Sequence, residues 1–358
     1  MSMIENLATE RVKKLTPYMS ARRIGGKGHV FLNANEAPKS SIFIMNSTSF
    51  NRYPECQPPQ VLEAYADYSG VPEENILVSR GSDESIGLLV RTFCEPGKDA
   101  ILISSPTYGM YSISADTAGV RTVDVPPRDD FQPDLEAIKK AFAETSEQIK
   151  IIFICSPNNP TGNVVDRELL KQILDFARDR CLVVVDEAYI EFCPEYSVTD
   201  MLSANEHLVV TRTLSKAFGL AGIRCGFTLA CEEIIKLMLK VIDPYPISDP
   251  VAQIAVQALS TNGIAIMKSR VAELNERRDR FVAEVKSLSY VKKVFSVNTN
   301  YVLVKFADGE ELFNACVQKG IILRDFHTKP RLSNCVRITI GSEEEMNEVL
   351  SVFRSIKQ

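Results

Sequence analysis

Short runs of apolar and β-branched residues alternate with amphipathic stretches along the middle of the chain. Seven runs are predicted to be strands: 76–79, 100–104, 122–125, 150–155, 182–186, 207–212 and 224–229. Helical periodicity between them predicts helices, for example over 134–143 and 166–179. Strands that are apolar on both faces and alternate with helices indicate a mainly parallel sheet covered on both sides. The pattern therefore predicts an α/β domain around a mainly parallel seven-stranded sheet.

The pattern changes near Pro244 and Pro246. Apolar residues at helical spacing, followed by a charged stretch, predict a long helix over 251–287. Strands at 301–306, 321–324 and 336–340 and helices at 309–319 and 342–356 are predicted to follow. We therefore expect three parts, which are an N-terminal arm (1–30), a large domain (31–245) and a smaller C-terminal α+β domain (246–358).

Composition excludes several classes of protein. Of the 358 residues 45% are hydrophobic and 24% charged, as in a globular protein with a sizeable core. The net charge of −5 argues against nucleic-acid binding, which favours clustered Lys and Arg. No apolar run is long enough to span a membrane, and the charged N-terminus lacks the apolar centre of a secretory signal. We expect a cytoplasmic protein.

The nine cysteines and three histidines show no spacing typical of metal ligands. The cysteines form no CxxC pair, and several lie in apolar runs, where a free thiol behaves as a small buried hydrophobic residue. The histidines, at His29, His207 and His327, are scattered. We therefore expect no metal site, and thiols kept reduced as in the cytosol.

The clearest chemical signal is a lysine among small residues. Lys216 lies in the segment TLSKAFGLAGIR, directly after the predicted strand 207–212. Most lysines lie in solvent, but here small neighbours allow a ligand to approach, and Ser215 and Arg224 can both donate to a phosphate. A lysine amine beside a phosphate site can condense with an aldehyde.

Asp186 ends the apolar run 182–186, at the edge where open α/β sheets bind ligands. Two interpretations are equally good on this segment alone. The carboxylate either pairs with a protonated pyridine nitrogen or caps the start of a helix.

Two other strand ends carry polar side chains. Asn159 lies in the stiff turn CSPNNPTG, and Tyr108 lies in PTYGMYS. Asn159 is either a turn residue or a donor to a phenolic oxygen. Tyr108 either stacks on a cofactor ring or packs in the core.

A glycine turn links the strand 76–79 to the next predicted helix. Ser82 is predicted to be the N-cap, with Asp83 and Glu84 complementing the helix dipole. Backbone N–H groups at such a helix start can bind a phosphate, although most capped helices bind no ligand.

Together these segments resemble the fold-type I aminotransferases that depend on pyridoxal 5′-phosphate (PLP). TLSKAFGLAGIR matches the family's attachment signature, and CSPNNPTG, DEAY and SKAFGLAGIR occur in the family's order. The resemblance implies the fold predicted above, with PLP as cofactor. It implies that Lys216 forms the Schiff base and later moves the proton, and that Asp186 pairs with the pyridine nitrogen.

The same resemblance implies further contacts to the cofactor. The 3′-oxygen is then contacted by Asn159 and Tyr189, and Tyr108 stacks on the ring. The residues around the cofactor phosphate are then Ser82, Asp83, Ser215 and Arg224.

Additional segments make the chain similar to the histidinol-phosphate aminotransferases in particular. They are LNANE, NRYPE, LVSRGSDE, PTYGMYS, DEAYIEF and GIILRD. That resemblance implies transamination of L-histidinol phosphate with 2-oxoglutarate to imidazole-acetol phosphate and L-glutamate, in histidine biosynthesis. It implies a homodimer in which Tyr53 reaches the cofactor phosphate of the partner subunit. The residues it implies for substrate contacts are Tyr18, Asn35, Arg324 and Arg337, although each arginine can also be a surface ion pair.

Two other functions fit the same signature. A phospho-amino-acid decarboxylase of this fold shares the Lys, Asp and Asn positions, and differs in whether Cα loses CO2 or a proton. A non-catalytic PLP-binding regulator would join this domain to a DNA-binding module, but no basic helix–turn–helix pattern precedes it here.

Overall fold

The computed structural model describes residues 7–16, 27–48, 50–327 and 329–356. A seven-stranded sheet lies at its centre. Its strands are β2 (Ile76–Ser79), β3 (Asp99–Ile103), β4 (Arg121–Asp124), β5 (Gln148–Cys155), β6 (Leu182–Asp186), β7 (Leu208–Thr213) and β8 (Gly226–Leu229).

The strands of this sheet stand in the order β2-β8-β7-β6-β5-β3-β4. β8 pairs antiparallel with both β2 and β7, whereas the other neighbours pair parallel. β6 is buried from Val183 to Val185, with no exposed surface on any of the three valines, as expected for a strand covered on both faces. The predicted α/β fold with a mainly parallel seven-stranded sheet is therefore confirmed.

Helices cover both faces of the sheet. Those described are α1 (Glu10–Lys14), α2 (Pro59–Ser69), α3 (Ser82–Phe93), α4 (Met110–Ala118), α5 (Leu135–Glu144), α6 (Arg167–Ala177), α7 (Glu232–Met238), α8 (Asp249–Leu259), α9 (Thr261–Lys286), α10 (Gly309–Gln318) and α11 (Glu343–Ser355). Side chains of Asp134 and Asp166 cap α5 and α6 by accepting from the backbone of the first turn. None of the described helices is long and apolar enough to cross a membrane.

A second sheet lies in the C-terminal part of the chain. Its order is β12 (Arg324–Asp325), β13 (Cys335–Thr339), β10 (Tyr301–Phe306) and β9 (Val291–Val294), all antiparallel. Aromatic contacts join this sheet to its helices, since the ring centroid of Phe353 lies 5.6 Å from that of Phe306 and 6.2 Å from that of Phe281.

The prediction of one uninterrupted helix over 251–287 is wrong. Ser260 has extended backbone angles (φ −63°, ψ 161°), and its side chain accepts a hydrogen bond from the backbone N–H of Gly263. Ser260 therefore caps a new helix, α9, because a serine hydroxyl satisfies donors that the interior of a continuous helix would not leave free.

The first residues connect to distant parts of the chain. Arg11 of α1 donates to the carbonyl of Ala118 at the end of α4. β1 (Val30–Phe31) pairs parallel with β11 (Ile321–Ile322), more than 280 residues later. The division into an arm, a large domain and a small domain at residues 30 and 245 stays a prediction.

Candidate active site

The turn after β7 carries Lys216. Its Nζ donates a 3.0 Å hydrogen bond to the carbonyl of Ala34 and lies 5.7 Å from the ring centroid of Tyr189. Burial, with the nearby Arg337 guanidinium, lowers the pKa of Lys216 to about 8. About a tenth of the amine is therefore neutral at pH 7, far more than for an ordinary lysine, and the neutral amine is the form that attacks an aldehyde.

Asp186 lies at the end of β6 with 2% of its surface exposed. Its Oδ2 accepts 2.7 Å from the hydroxyl of Tyr111, and its Oδ1 accepts 3.2 Å from both the hydroxyl of Thr211 and the backbone N–H of Ala188. Burial raises the pKa of Asp186 to about 6. The N-cap interpretation is not supported, because the next regular element is a short 3-10 helix that starts at Ile190.

Sequence reasoning missed Tyr111 and Thr211 as partners of Asp186. A signal for Tyr111 existed, because it is a second tyrosine three residues after Tyr108 and follows the same strand end. The two rings meet edge to face at a centroid distance of 5.7 Å. The sequence offers no comparable signal for Thr211.

The start of α3 forms a tight loop against Arg224. The prediction that Ser82 is the N-cap is wrong. Gly81 takes the cap position at φ 79°, and Ser82 is the first residue of the helix. A side chain at Gly81 would come within 2.7 Å of Nη2 of Arg224. Glycine is therefore needed both for the left-handed angle and for the close approach.

Three of the predicted phosphate contacts, Asp83, Ser215 and Arg224, are joined by hydrogen bonds at this loop, together with Tyr108. Arg224 donates from Nη2 to Asp83 at 3.0 Å and from Nη1 to the hydroxyl of Ser215 at 3.3 Å. Tyr108 donates 2.8 Å to the other oxygen of Asp83. Arg224 itself holds a left-handed backbone (φ 54°), a conformation that is uncommon outside glycine and that clusters at functional sites.

Asn159 and Arg337 meet between the two sheets. Nη1 of Arg337 donates 2.6 Å to Oδ1 of Asn159, and Nη2 donates 2.8 Å to the carbonyl of Asn33. Arg337, on β13, is directly opposite Arg324 on β12. Residues opposite each other on antiparallel strands share one face, so the two side chains are neighbours. Nη1 of Arg324 is buried and has no hydrogen-bond partner within the described ranges.

Asn35 contacts Tyr189. Its Nδ2 donates 2.9 Å to the Tyr189 hydroxyl, and its Oδ1 accepts from the hydroxyl of Thr339 at 3.2 Å. Thr339 lies two residues after Arg337 on β13, so the same strand supports both contacts. Sequence reasoning had not identified Thr339.

One predicted site residue, Tyr53, stands apart from this group. The ring of Tyr53 is 81% exposed and stacks on Tyr245 at a centroid distance of 4.4 Å. Most of its surface is therefore available to another molecule. Tyr18 lies outside the described residues.

The assembled residues fit PLP. A partly neutral lysine amine suits its aldehyde, and the Asp186 carboxylate suits a protonated ring nitrogen. Gly81, the start of α3 and the Arg224 guanidinium form a loop with the donors that a phosphate needs.

Comparison with known proteins agrees with this geometry. A family model described as aminotransferase class I and II matches residues 25–353. A histidinol-phosphate aminotransferase from Aeromonas hydrophila is 57% identical over 353 residues, which is 99% of this chain and 98% of that protein. One from Escherichia coli O9:H4 is 51% identical over 352 residues, with 98% of each chain covered.

A solved structure shares the fold. Histidinol-phosphate aminotransferase from Sinorhizobium meliloti, solved in complex with PLP, superposes with a TM-score of 0.81 at 24% identity and covers 98% of both chains. Because the family model covers most of the chain and these relatives are more than 50% identical over nearly its full length, the chain belongs to the class I and II aminotransferases, which depend on PLP, and within them to the histidinol-phosphate aminotransferase family.

Proposed function

We propose that this enzyme transfers the amino group of L-histidinol phosphate to 2-oxoglutarate, giving imidazole-acetol phosphate and L-glutamate, as a step of histidine biosynthesis. The observation that carries the proposal is the pair of neighbouring arginines beside the lysine site. Arg324 and Arg337 are cross-strand partners, and Arg324 has a buried Nη1 without a partner in the described part of the chain.

Adjacent guanidinium groups repel each other unless an anion lies between or beside them. Both proposed substrates supply such an anion, one as a phosphate ester and the other as a second carboxylate. Arg offers planar pairs of donors that suit either group. Arg337 therefore holds an anionic group close to Lys216, and Arg324 adds the second charge. Asn35 and Tyr18 are further proposed substrate contacts.

The cofactor is held at four points in this proposal. Asp186 pairs with the pyridine nitrogen, and Asn159 and Tyr189 contact the 3′-oxygen. Tyr108 stacks on the ring. The phosphate is held by Ser215, Arg224 and the backbone N–H groups of Ser82 and Asp83. When bound, PLP supplies an aldehyde that exchanges amines and a ring that takes up the electrons released at Cα.

Lys216 is the residue that moves the proton. With PLP bound, the neutral Nζ of Lys216 would take the proton from the substrate's Cα and later give it back, acting first as general base and then as general acid. The pKa of about 8 suits this task, because a general base works best when its pKa is close to the working pH. Asp186, in its ionised form, holds the ring nitrogen protonated throughout.

A homodimer is part of the proposal. The support is an exposed apolar segment, in which Ile42 is 99% and Ile44 83% exposed. Surfaces of this kind mark sites of association. Tyr53 is proposed to reach from this region to the cofactor phosphate of the partner subunit.

We also propose that the enzyme works in the cytoplasm. All nine cysteines are free, and seven of them are buried. Buried free thiols are typical of a reducing compartment. Fractionation of cells that produce the enzyme at its native level tests this location.

A panel of amino donors tests the reaction. Histidinol phosphate should give glutamate from 2-oxoglutarate with a higher kcat/KM than phenylalanine, tyrosine or threonine phosphate. The rival decarboxylase would release CO2 from threonine phosphate without any keto acid. CO2 release in that assay would contradict the proposal. So would a kcat/KM for the donors without a phosphate as high as that for histidinol phosphate.

A further inference from the structure

Tyr111 is a fully buried tyrosine whose hydroxyl donates a hydrogen bond to Asp186. It belongs to α4, and none of its surface is exposed. Its ring stacks on Phe153 of β5 with centroids 4.7 Å apart and planes 9° from parallel. Its other ring neighbour is Tyr108, at 5.7 Å. These ring contacts fix the position of the hydroxyl independently of its hydrogen bond.

The hydrogen bonds of Asp186 leave room for one more donor. An ionised carboxylate accepts about four hydrogen bonds, two at each oxygen. Thr211 and Ala188 fill Oδ1, whereas Tyr111 takes one of the two positions on Oδ2. The remaining acceptor position is therefore on Oδ2, and the Tyr111 hydroxyl determines which direction is left for it.

The Tyr111 hydroxyl also acts on the charge of Asp186. Burial and the adjacent carboxylate raise the pKa of Tyr111 well above its ordinary value, so it stays a neutral donor. Burial raises the pKa of Asp186, and the hydrogen bond from Tyr111 opposes that rise. A donor to the charged form stabilises that form. Phenylalanine at this position would keep the ring contacts and lose this effect.

We propose that Tyr111 is a positioning residue, which keeps Asp186 ionised and orients its Oδ2 toward the ring nitrogen of bound PLP. The inference rests on the proposed function, in which Asp186 pairs with that nitrogen. Tyr111 acts only through Asp186, and its hydroxyl contacts neither the substrate nor the reacting atoms.

Tyr111→Phe tests the inference by cofactor affinity, with no turnover required. Apo-enzyme is titrated with PLP and with a carbocyclic analogue in which carbon replaces the ring nitrogen. The variant should bind PLP about ten- to one-hundredfold more weakly, as expected for a lost hydrogen bond to a charged group. Its affinity for the analogue should not change, because the analogue has no nitrogen for Asp186 to hold.

The pH dependence of PLP affinity gives a second readout. In the parent enzyme, affinity should fall as pH drops and Asp186 takes up a proton. In Tyr111→Phe that fall should begin at a higher pH. A residue that only supported the fold would lower the melting temperature and leave both readouts unchanged.

Tyr290→Phe is the matched control. Tyr290 donates an equally short hydrogen bond of 2.7 Å, to the carbonyl of Phe353 in the C-terminal part. Its loss should leave both cofactor affinities as in the parent. An unchanged PLP affinity in Tyr111→Phe, or equal weakening for PLP and the analogue, would overturn the inference.

Asp186→Asn separates this inference from the proposed function. If Asp186→Asn weakens PLP selectively and Tyr111→Phe does not, the pairing of Asp186 stands and the role of Tyr111 is wrong. If Asp186→Asn shows no selectivity, both are wrong. Should Tyr111→Phe not fold, 3-fluorotyrosine at position 111 replaces it. That residue is a stronger hydrogen-bond donor, so PLP should bind more tightly than to the parent, whereas the affinity for the analogue should not change. A PLP affinity equal to that of the parent would again reject the role.

Discussion

Arg337 donates a 2.6 Å hydrogen bond from Nη1 to Oδ1 of Asn159, and this bond joins the C-terminal sheet to the central one. Because the guanidinium can only donate, it fixes the carbonyl end of the Asn159 amide toward itself. The Nδ2 donor then faces away from Arg337, as the proposed contact to the 3′-oxygen requires. A residue proposed for the substrate therefore orients one proposed for the cofactor.

This relationship predicts different behaviour for the two arginines. Arg337→Gln should lower kcat/KM by about one-hundredfold or more for both amino donor and keto acid, and shift the visible absorption of bound cofactor, because Asn159 loses its orienting donor. Arg324→Gln should raise KM by about ten- to one-hundredfold and leave that absorption unchanged. Steady-state kinetics and spectra of both variants check this.

The two substitutions should also differ in their effect on the stability of the protein. Arg324 has a buried Nη1 without a described partner, so Arg324→Gln should not lower the melting temperature. Arg337 holds two hydrogen bonds, so Arg337→Gln should lower it. The prediction fails if Arg324→Gln destabilises the protein as much as Arg337→Gln does.

The main elements could be predicted because their sequence signal is local. β2 and β6 coincide with the predicted runs 76–79 and 182–186, since each is an uninterrupted apolar segment bounded by turn residues. The break at Ser260 was missed because apolar residues keep their helical spacing on both sides of it. The sequence around a serine in a helical pattern does not determine whether its hydroxyl caps a new helix.

Site residues at strand ends could be predicted, whereas their mutual contacts could not. Lys216 and Asp186 stand out because polar residues follow buried strands. Asn35 and Thr339 are 304 positions apart, and Arg337 and Asn159 are 178 apart. Only the packing of the two sheets brings such residues together, so no local pattern of hydrophobic and polar positions could pair them.

Lys216→Ala should abolish turnover and remove the visible absorption band of the bound cofactor. In the parent, the rate at which apo-enzyme takes up PLP covalently should rise with pH through about 8, because the neutral amine is the nucleophile. Stopped-flow absorbance from pH 6.5 to 9.5 measures this. Lys236→Ala, at a side chain 64% exposed on α7, is the control and should behave as the parent. Transamination retained by Lys216→Ala would refute the assignment of this lysine.

Glu191 should make the protein less stable as pH rises. Arg212, which pairs with Glu187 at 2.9 Å, also attracts the buried Glu191 carboxylate, but burial outweighs this attraction and raises the pKa of Glu191 from 4.5 to about 7. Between these values the folded protein keeps the proton and the unfolded chain loses it, so stability falls as pH rises. The loss is on the order of 3 kcal/mol and is complete above pH 7.

Glu191→Gln should remove this loss. The variant should equal the parent near pH 5 and exceed it in urea midpoint at pH 8. Comparing the two at each pH cancels the titration of every other group. The exposed Glu195→Gln serves as control and should follow the parent. A constant difference between Glu191→Gln and the parent from pH 5 to 8 would show that the carboxyl keeps an ordinary pKa.

Tyr53 should act on the partner's cofactor. Tyr53→Ala should weaken PLP retention by about tenfold, since a hydrogen bond to a charged phosphate is lost. Mixing Tyr53→Ala subunits with Lys216→Ala subunits shows whether Tyr53 serves the site of its own subunit or that of the partner. In a hybrid dimer, one site combines Lys216 of one subunit with Tyr53 of the other, and PLP affinity and activity should return there. If Tyr53 serves its own subunit, no site in the hybrid has both residues, and the mixture stays as defective as its components.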